Sequence, residues 1–186
     1  LNKGWAVALT TLAHERKFGA TFGDTPVRLE GRAGEEAHAE WLAHMETYKW
    51  YPQRAGRVDL IARRLAETGH DSNDVSRDEA MKVIALQRVS ALTAARARAQ
   101  RELGNPPGAE GSVGKLATSV AARGAAHVHA MITGADAMVD SPDAVAQGVV
   151  AEVILSVPAQ SIAGGTDEIQ RNILAERVLG LPREPH

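Results

Sequence analysis

Apolar positions recur along this chain at intervals of three and four residues, the period of a helix, and nowhere alternate over a length that would suit a strand. Trp5, Ala8, Leu9 and Leu12 form such a stripe and predict a first helix over residues 4–17 with a buried face. Residues 18–34 are rich in glycine and polar side chains, include Pro26, and read as a loop. Residues 35–51 predict a short helix on which Trp41, Met45 and Tyr48 share one apolar face. Pro52 can open the next element, and Val58, Ile61 and Leu65 mark a helix that stops at Gly69. After a polar connector, residues 74–78 open a long helix. Its inner stripe reads as Met81, Ala85, Val89, Leu92, Ala99 and Leu103, and Gly104-Asn105-Pro106-Pro107 ends it. The next helix runs from near Ser112 to about residue 133. Its small residues Ala121, Ala122, Gly124, Ala125 and Ala126 let a neighbouring helix approach closely. From Ser141-Pro142 onward a further helix carries Val149, Val150, Val153 and Ile154 into the core and leads to the tail.

The tail is the most informative stretch: Gln160-Ser161-Ile162-Ala163-Gly164-Gly165-Thr166-Asp167-Glu168-Ile169-Gln170-Arg171-Asn172. Thr166 suits a helix N-cap, because its hydroxyl can accept from a backbone N–H that the helix leaves unpaired. Asp167 and Glu168 put negative charge at the positive end of the helix dipole. Gly180 supplies a left-handed terminus, and Pro182 prevents continuation. Gly164-Gly165, in front of the helix, is a bend without Cβ atoms where a flat or polyanionic ligand could reach the backbone. On residue types alone, a Gly-Gly-Thr in front of a helix is more often plain capping than a ligand site.

Composition narrows the classes of function. With 186 residues and 44% hydrophobic content the chain can bury a core, and 4% aromatic residues favour helix over sheet. A formal charge of −2 gives no basic excess for displacing counterions from nucleic acid or an anionic membrane. No apolar run reaches the roughly 18 residues of a membrane span. The expectation is a soluble, cytoplasmic protein. The chain has no cysteine, so disulfides, thiolate metal sites and cysteine nucleophiles are excluded. His38 and His44 are six residues apart, no His-x-x-x-His pair occurs, and no metal site is expected. His127 and His129 fall on different helix faces and read as structural. Arg88, Arg96, Arg98 and Arg101 read as outer-face charges, and Lys115 as solvent-facing.

The tail as a whole, and the opening run Gly4-Trp5-Ala6-Val7-Ala8-Leu9-Thr10-Thr11-Leu12-Ala13-His14-Glu15-Arg16, resemble the two ends of the C-terminal domain of the acyl-CoA dehydrogenase family. Residues 107–116 resemble a run in a bacterial subgroup that acts on bulky acyl-CoAs and includes two-subunit enzymes. The resemblance implies an all-α antiparallel helical bundle. Residues 1–186 would then be one C-terminal domain of a larger subunit, preceded by an N-terminal helical and a middle β domain, and inactive alone. The implied reaction is FAD-dependent α,β-dehydrogenation of an acyl-CoA thioester to the 2-enoyl-CoA. The implied partners are electron-transfer flavoprotein or a similar acceptor, and a homodimer, a tetramer or a heteromer with a related subunit.

The resemblance also assigns residues. Many members carry the catalytic carboxylate just before the Gly-Thr pair, where this chain has Gly164. Isovaleryl- and long-chain-type members use a Glu on the first helix, which corresponds to Glu15, with Arg16 beside the substrate. Gly165, Thr166 and Gln170 correspond to flavin contacts. The family's Arg-x-x-Phe-Gly motif is only echoed in Lys17-Phe18-Gly19 and Thr21-Phe22-Gly23. Of its Gln-x-x-Gly-Gly-x-Gly turn, Met131-Ile132-Thr133-Gly134-Ala135-Asp136 keeps one glycine. These departures leave open a non-catalytic subunit of a heteromeric dehydrogenase, or a flavin oxidase or monooxygenase on the same fold.

Overall fold

Long stretches free of Gly and Pro and rich in Ala, Leu, Arg and Glu have no better option than helix, and helix is what forms. The computed structural model describes residues 4–21, 30–47, 51–106 and 108–183, with side chains for all of these except residues 13, 15–21 and 44–47. Among the described residues there are eight α-helices and no strand, so the fold is all-α as the sequence predicts. The helices are α1 (Gly4–Thr21), α2 (Gly31–Thr47), α3 (Tyr51–Arg54), α4 (Val58–Glu67), α5 (Asp74–Glu102), α6 (Glu110–Thr133), α7 (Val149–Ser156) and α8 (Asp167–Arg177). They fall into two compact units, residues 1–48 and residues 49–186.

In the first unit α1 runs four residues past the predicted end at 17, and α2 starts at Gly31 rather than 35. The predicted stripe is not buried: Trp5, Leu9 and Leu12 are exposed and Ala8 is half-buried. Among the described residues this unit has two helices, each able to cover just one side of the other, so apolar periodicity alone does not secure burial here. On α2, Trp41 is half-buried and stacks on the His38 ring at 5.9 Å between centroids. The side chain of Met45, and Tyr48 altogether, lie outside the described residues.

The second unit is built around α6, which packs against α4, α5, α7 and α8. One core joins Val58, Ile61 and Leu65 of α4, Ala80 and Val83 of α5, and Ala125, Val128 and Ile132 of α6. A second joins Ala122 of α6 to Val153 and Val157 around α7. Each fully buried Ile or Val contributes about 1.5–3 kcal/mol over the exposed side chain. Small residues on α6 set the spacing. A Cβ added at Gly124 would meet Val83 Cγ2 at 2.7 Å. One added at Gly56, in the α3–α4 turn at φ +90°, would meet Ala122 Cα and Ala125 Cβ at 2.9 Å.

This close approach overturns the predicted inner face of α5. Met81, Val89, Leu92 and Leu103 are exposed, as are Ala85 and Ala99, whereas Ser76, Ala80, Val83 and Ala97 are buried. A helix with a flat surface of Ala and Gly takes small side chains from its partner, not the largest ones available. The ends of α5 are as the sequence suggests: the Asn73 side chain accepts from Ser76 N at 3.0 Å, and Gly104 is left-handed. Before α7 the chain does not form the helix predicted from residue 141. Ala146 and Gln147 have φ of 51° and 56°, and regular helix starts only at Val149.

Two basic side chains are folded into this unit. His129 of α6 is fully buried, and its Nε2 donates to the Arg57 carbonyl at 3.1 Å, which leaves Nδ1 unprotonated and without a partner among the described residues. Burial lowers its pKa. The Arg57 carbonyl bond opposes the shift, and the Arg64 charge adds to it. Arg64 of α4 is also buried; its Nη2 donates to Thr133 Oγ1 at 2.5 Å, at the C-terminal end of α6, where the helix dipole offers partial negative charge.

Candidate functional site

The site suggested by the tail is assembled wholly within the second unit. Thr166 is the N-cap of α8, with backbone in the extended region and its hydroxyl accepting from Ile169 N at 3.3 Å. Glu168 folds back in the first turn. Its carboxyl is held below the usual range by its own backbone N–H and by the Thr166 hydroxyl. Capping therefore needs nothing more than these two residues.

Gly164 and Gly165 both adopt positive φ, 69° and 92°, which explains two successive glycines. Their surroundings differ. A Cβ at Gly165 would meet Gln170 Nε2 at 2.8 Å, whereas one at Gly164 would meet nothing within 4 Å. The bend thus has one backed face and one open face. Gln170, buried on the next turn of α8, donates from Nε2 to the Gly164 carbonyl at 2.9 Å and so holds the bend from behind.

Upstream the chain is tied at two further points. Arg54 Nε donates to Gln160 Oε1 at 3.0 Å, and the buried Ser119 hydroxyl donates to the Gln160 carbonyl at 3.1 Å. Asp167, read from sequence as a dipole partner, is buried with its carboxylate between two cations. Lys115 Nζ lies 2.6 Å from Oδ1 and Arg123 Nη1 2.8 Å from Oδ2, and Arg123 also donates to Ser161 Oγ. Burial pushes the Asp167 carboxyl up, but the hydrogen bonds from Lys115 and Arg123, with Ser119 alongside, hold it well below the usual carboxylate range.

Lys115 is not solvent-facing as the sequence suggests but is turned inward onto Asp167, and Ser119 and Arg123 escaped the sequence reading. Their signal was available: three polar residues at successive steps of four on an Ala-rich helix define one face, and that face meets α8. Gly165, Thr166 and Gln170 are brought together at the bend. Glu15 and Arg16 both stand on the fourth turn of α1 in the other unit, and their side chains lie outside the described residues. So do the side chains of residues 17–19 and all of residues 22 and 23. Gly134 follows α6 at φ 67° and opens a 3₁₀ turn, Gly134–Met138. Among the described residues no group of three His, Asp or Glu side chains is placed to hold a metal ion, and no helix is long and apolar enough to cross a membrane.

A family model for the acyl-CoA dehydrogenase C-terminal domain matches residues 53–179, more than half of the chain and all of the site just described. The chain belongs to the acyl-CoA dehydrogenase family. Two curated family members, the acyl-CoA dehydrogenases IpdE1 of Mycobacterium tuberculosis and of Mycolicibacterium smegmatis, are each 77% identical to it over 26 residues. That match is 14% of this chain and 7% of either relative. Among solved structures, a chain in the crystal structure of the ChsE4-ChsE5 complex from Mycobacterium tuberculosis matches with a TM-score of 0.56 at 23% identity, over 67% of this chain and 36% of that one. At that identity the likeness speaks for the fold, and the chain spans about a third of the solved protein's length.

The acyl-CoA dehydrogenase fold brings a flavin into question, and the bend fits one. A flat ring needs a backbone surface clear of side chains, with N–H groups nearby and a rigid backing. Gly164 provides the clear surface, the first turn of α8 the N–H groups, and Gln170 the backing.

Proposed function

We propose that this chain is the helical C-terminal domain of a larger acyl-CoA dehydrogenase subunit, a cytoplasmic enzyme that removes hydrogen across the α,β bond of an acyl-CoA thioester to give the 2-enoyl-CoA. The observation that carries the proposal is the Gly164-Gly165 bend, open on one face and pinned on the other, at the start of a capped helix. Family membership supports the coarser part, an acyl-CoA dehydrogenase.

FAD, when bound, supplies the acceptor for the hydride that leaves the β-carbon. The remaining work falls to this chain. Gly165, with Gly164 before it, would give the flavin a backbone free of side chains, Thr166 a capped helix start, and Gln170 the backing that fixes the bend from behind. Glu15 takes the α-proton, because Gly164, at the other position where the family keeps a carboxylate, has no side chain to do so. Arg16 is assigned to the substrate by the resemblance alone. The partner that would reoxidise the enzyme is electron-transfer flavoprotein or a similar acceptor. A second reading is favoured by the likeness to one chain of the ChsE4-ChsE5 complex. In it the chain belongs to a heteromer and completes a site carried mainly by a related subunit; the first reading instead pairs identical subunits.

The test is the visible spectrum of the complete purified subunit during titration with a panel of acyl-CoAs. A bound flavin that bleaches with one of them is the expected result, and Glu15→Gln should abolish bleaching while flavin content stays the same. Bleaching at the wild-type rate in Glu15→Gln would remove Glu15 as base. A colourless protein that stays colourless with added FAD would favour the accessory-subunit reading.

A further inference from the structure

The N-terminus of α8 is held in a way that capping does not require. Thr166 and Glu168 already satisfy the first turn, and Glu168, 76% exposed, shows how a dipole partner normally sits. Asp167, one residue earlier, is 5% exposed and faces α6. Nor does a fully buried apolar side chain anchor α8, for Ile173, Leu174 and Ala175 are half-buried and its buried residues are Asp167 and Gln170. One of these grips the bend and the other grips α6.

We propose that Lys115 is a positioning residue for the Gly164-Gly165 bend, acting through Asp167 to fix the orientation of the α8 N-terminus. This rests on the flavin reading above. The argument is geometric. Arg123 binds one carboxylate oxygen and is 45% exposed, so its contact is screened and leaves α8 free to pivot about that oxygen. Lys115, 12% exposed, binds the other oxygen at 2.6 Å. Two donors on two different oxygens fix direction as well as distance. Because Thr166 and the two glycines directly precede Asp167, a pivot of α8 would carry the open face of the bend with it. Lys115 itself touches neither the bend nor any atom that reacts; it acts through α8.

The experiment uses the complete subunit with three variants: Lys115→Met, Lys115→Arg, and Lys115→Met combined with Asp167→Asn. FAD affinity is read from flavin fluorescence, bend order from amide hydrogen exchange over residues 164–169, and fold stability from the thermal midpoint of the apoprotein. Lys115→Met is expected to weaken FAD binding roughly tenfold, the scale typical of losing a group that orients a binding shell. It should speed exchange in the bend without changing it in the α5–α6 pair, and Lys115→Arg should restore both. The double variant leaves no buried charge short of a partner, so its thermal midpoint should recover while FAD binding stays weak. Recovery of FAD affinity together with stability in the double variant would overturn the positioning role, since stability alone would then explain everything. Unchanged affinity in Lys115→Met would overturn it as well. A wild-type subunit that takes up no flavin would instead overturn the flavin reading, and this role with it.

Discussion

His129 is the residue on which the second unit's response to pH turns. Its Nε2 is committed to the Arg57 carbonyl, Arg64 stands near as a buried cation that opposes protonation, and Asp59 offers only weak charge of the opposite sign. Burial therefore keeps the folded-state pKa below the ordinary value of 6.5. The sign follows by linkage: below about pH 6.5 the unfolded chain gains a proton that the folded chain refuses, so stability is full above that pH and falls as pH drops toward the folded-state pKa. Urea unfolding between pH 7.5 and 5 should show this loss, and His129→Gln, which keeps a donor for Arg57, should flatten it. Equal slopes in the two proteins would place the dependence on other histidines. The sequence marks His129 as structural from its face alone. It could not reveal the burial of Asp167, because Lys115 stands 52 residues away and neither residue looks unusual in its own neighbourhood.

Among the elements, the α5–α6 pair shows where periodicity informs and where it misleads. It locates both helices and the glycine that ends α5, since those depend on neighbouring residues, but it names neither Asn73 as the α5 cap nor the start of α6 at Glu110. It picks the wrong face of α5, because both faces carry apolar residues and the partner, not the period, selects between them. Gly124 tests that account. Gly124→Ala gains about 1 kcal/mol of helix propensity, but the new methyl meets the stiff Val83 side chain, and overpacking of this kind costs about 1–3 kcal/mol. The expected net effect is a loss of stability. In a Val83→Ala background the same change should become stabilising, and denaturant midpoints of the four proteins would reveal the reversal of sign. Destabilisation in both backgrounds would mean that Val83 is not what keeps position 124 small.

At the scale of the whole molecule, the all-α class and the family were legible from the sequence, because a helical period and a capped tail are local properties and the tail carries family-specific residues. Burial in the first unit, and the long-range ties at the bend, were not, since both depend on what stands opposite in space. The tie between Lys115 and Asp167 also has a consequence in time. The α5–α6 pair closes across the short connection after Glu102, whereas the ion pair must close a loop of 52 residues and gains little until α6 and α8 are already formed. Pulse-labelled hydrogen exchange during refolding should find α6 amides protected before those of residues 166–169, and simultaneous protection would contradict this order. A newly made chain would then complete its α5–α6 scaffold first and the Gly164-Gly165 turn last, so it passes through a stage that is folded yet lacks its final bend.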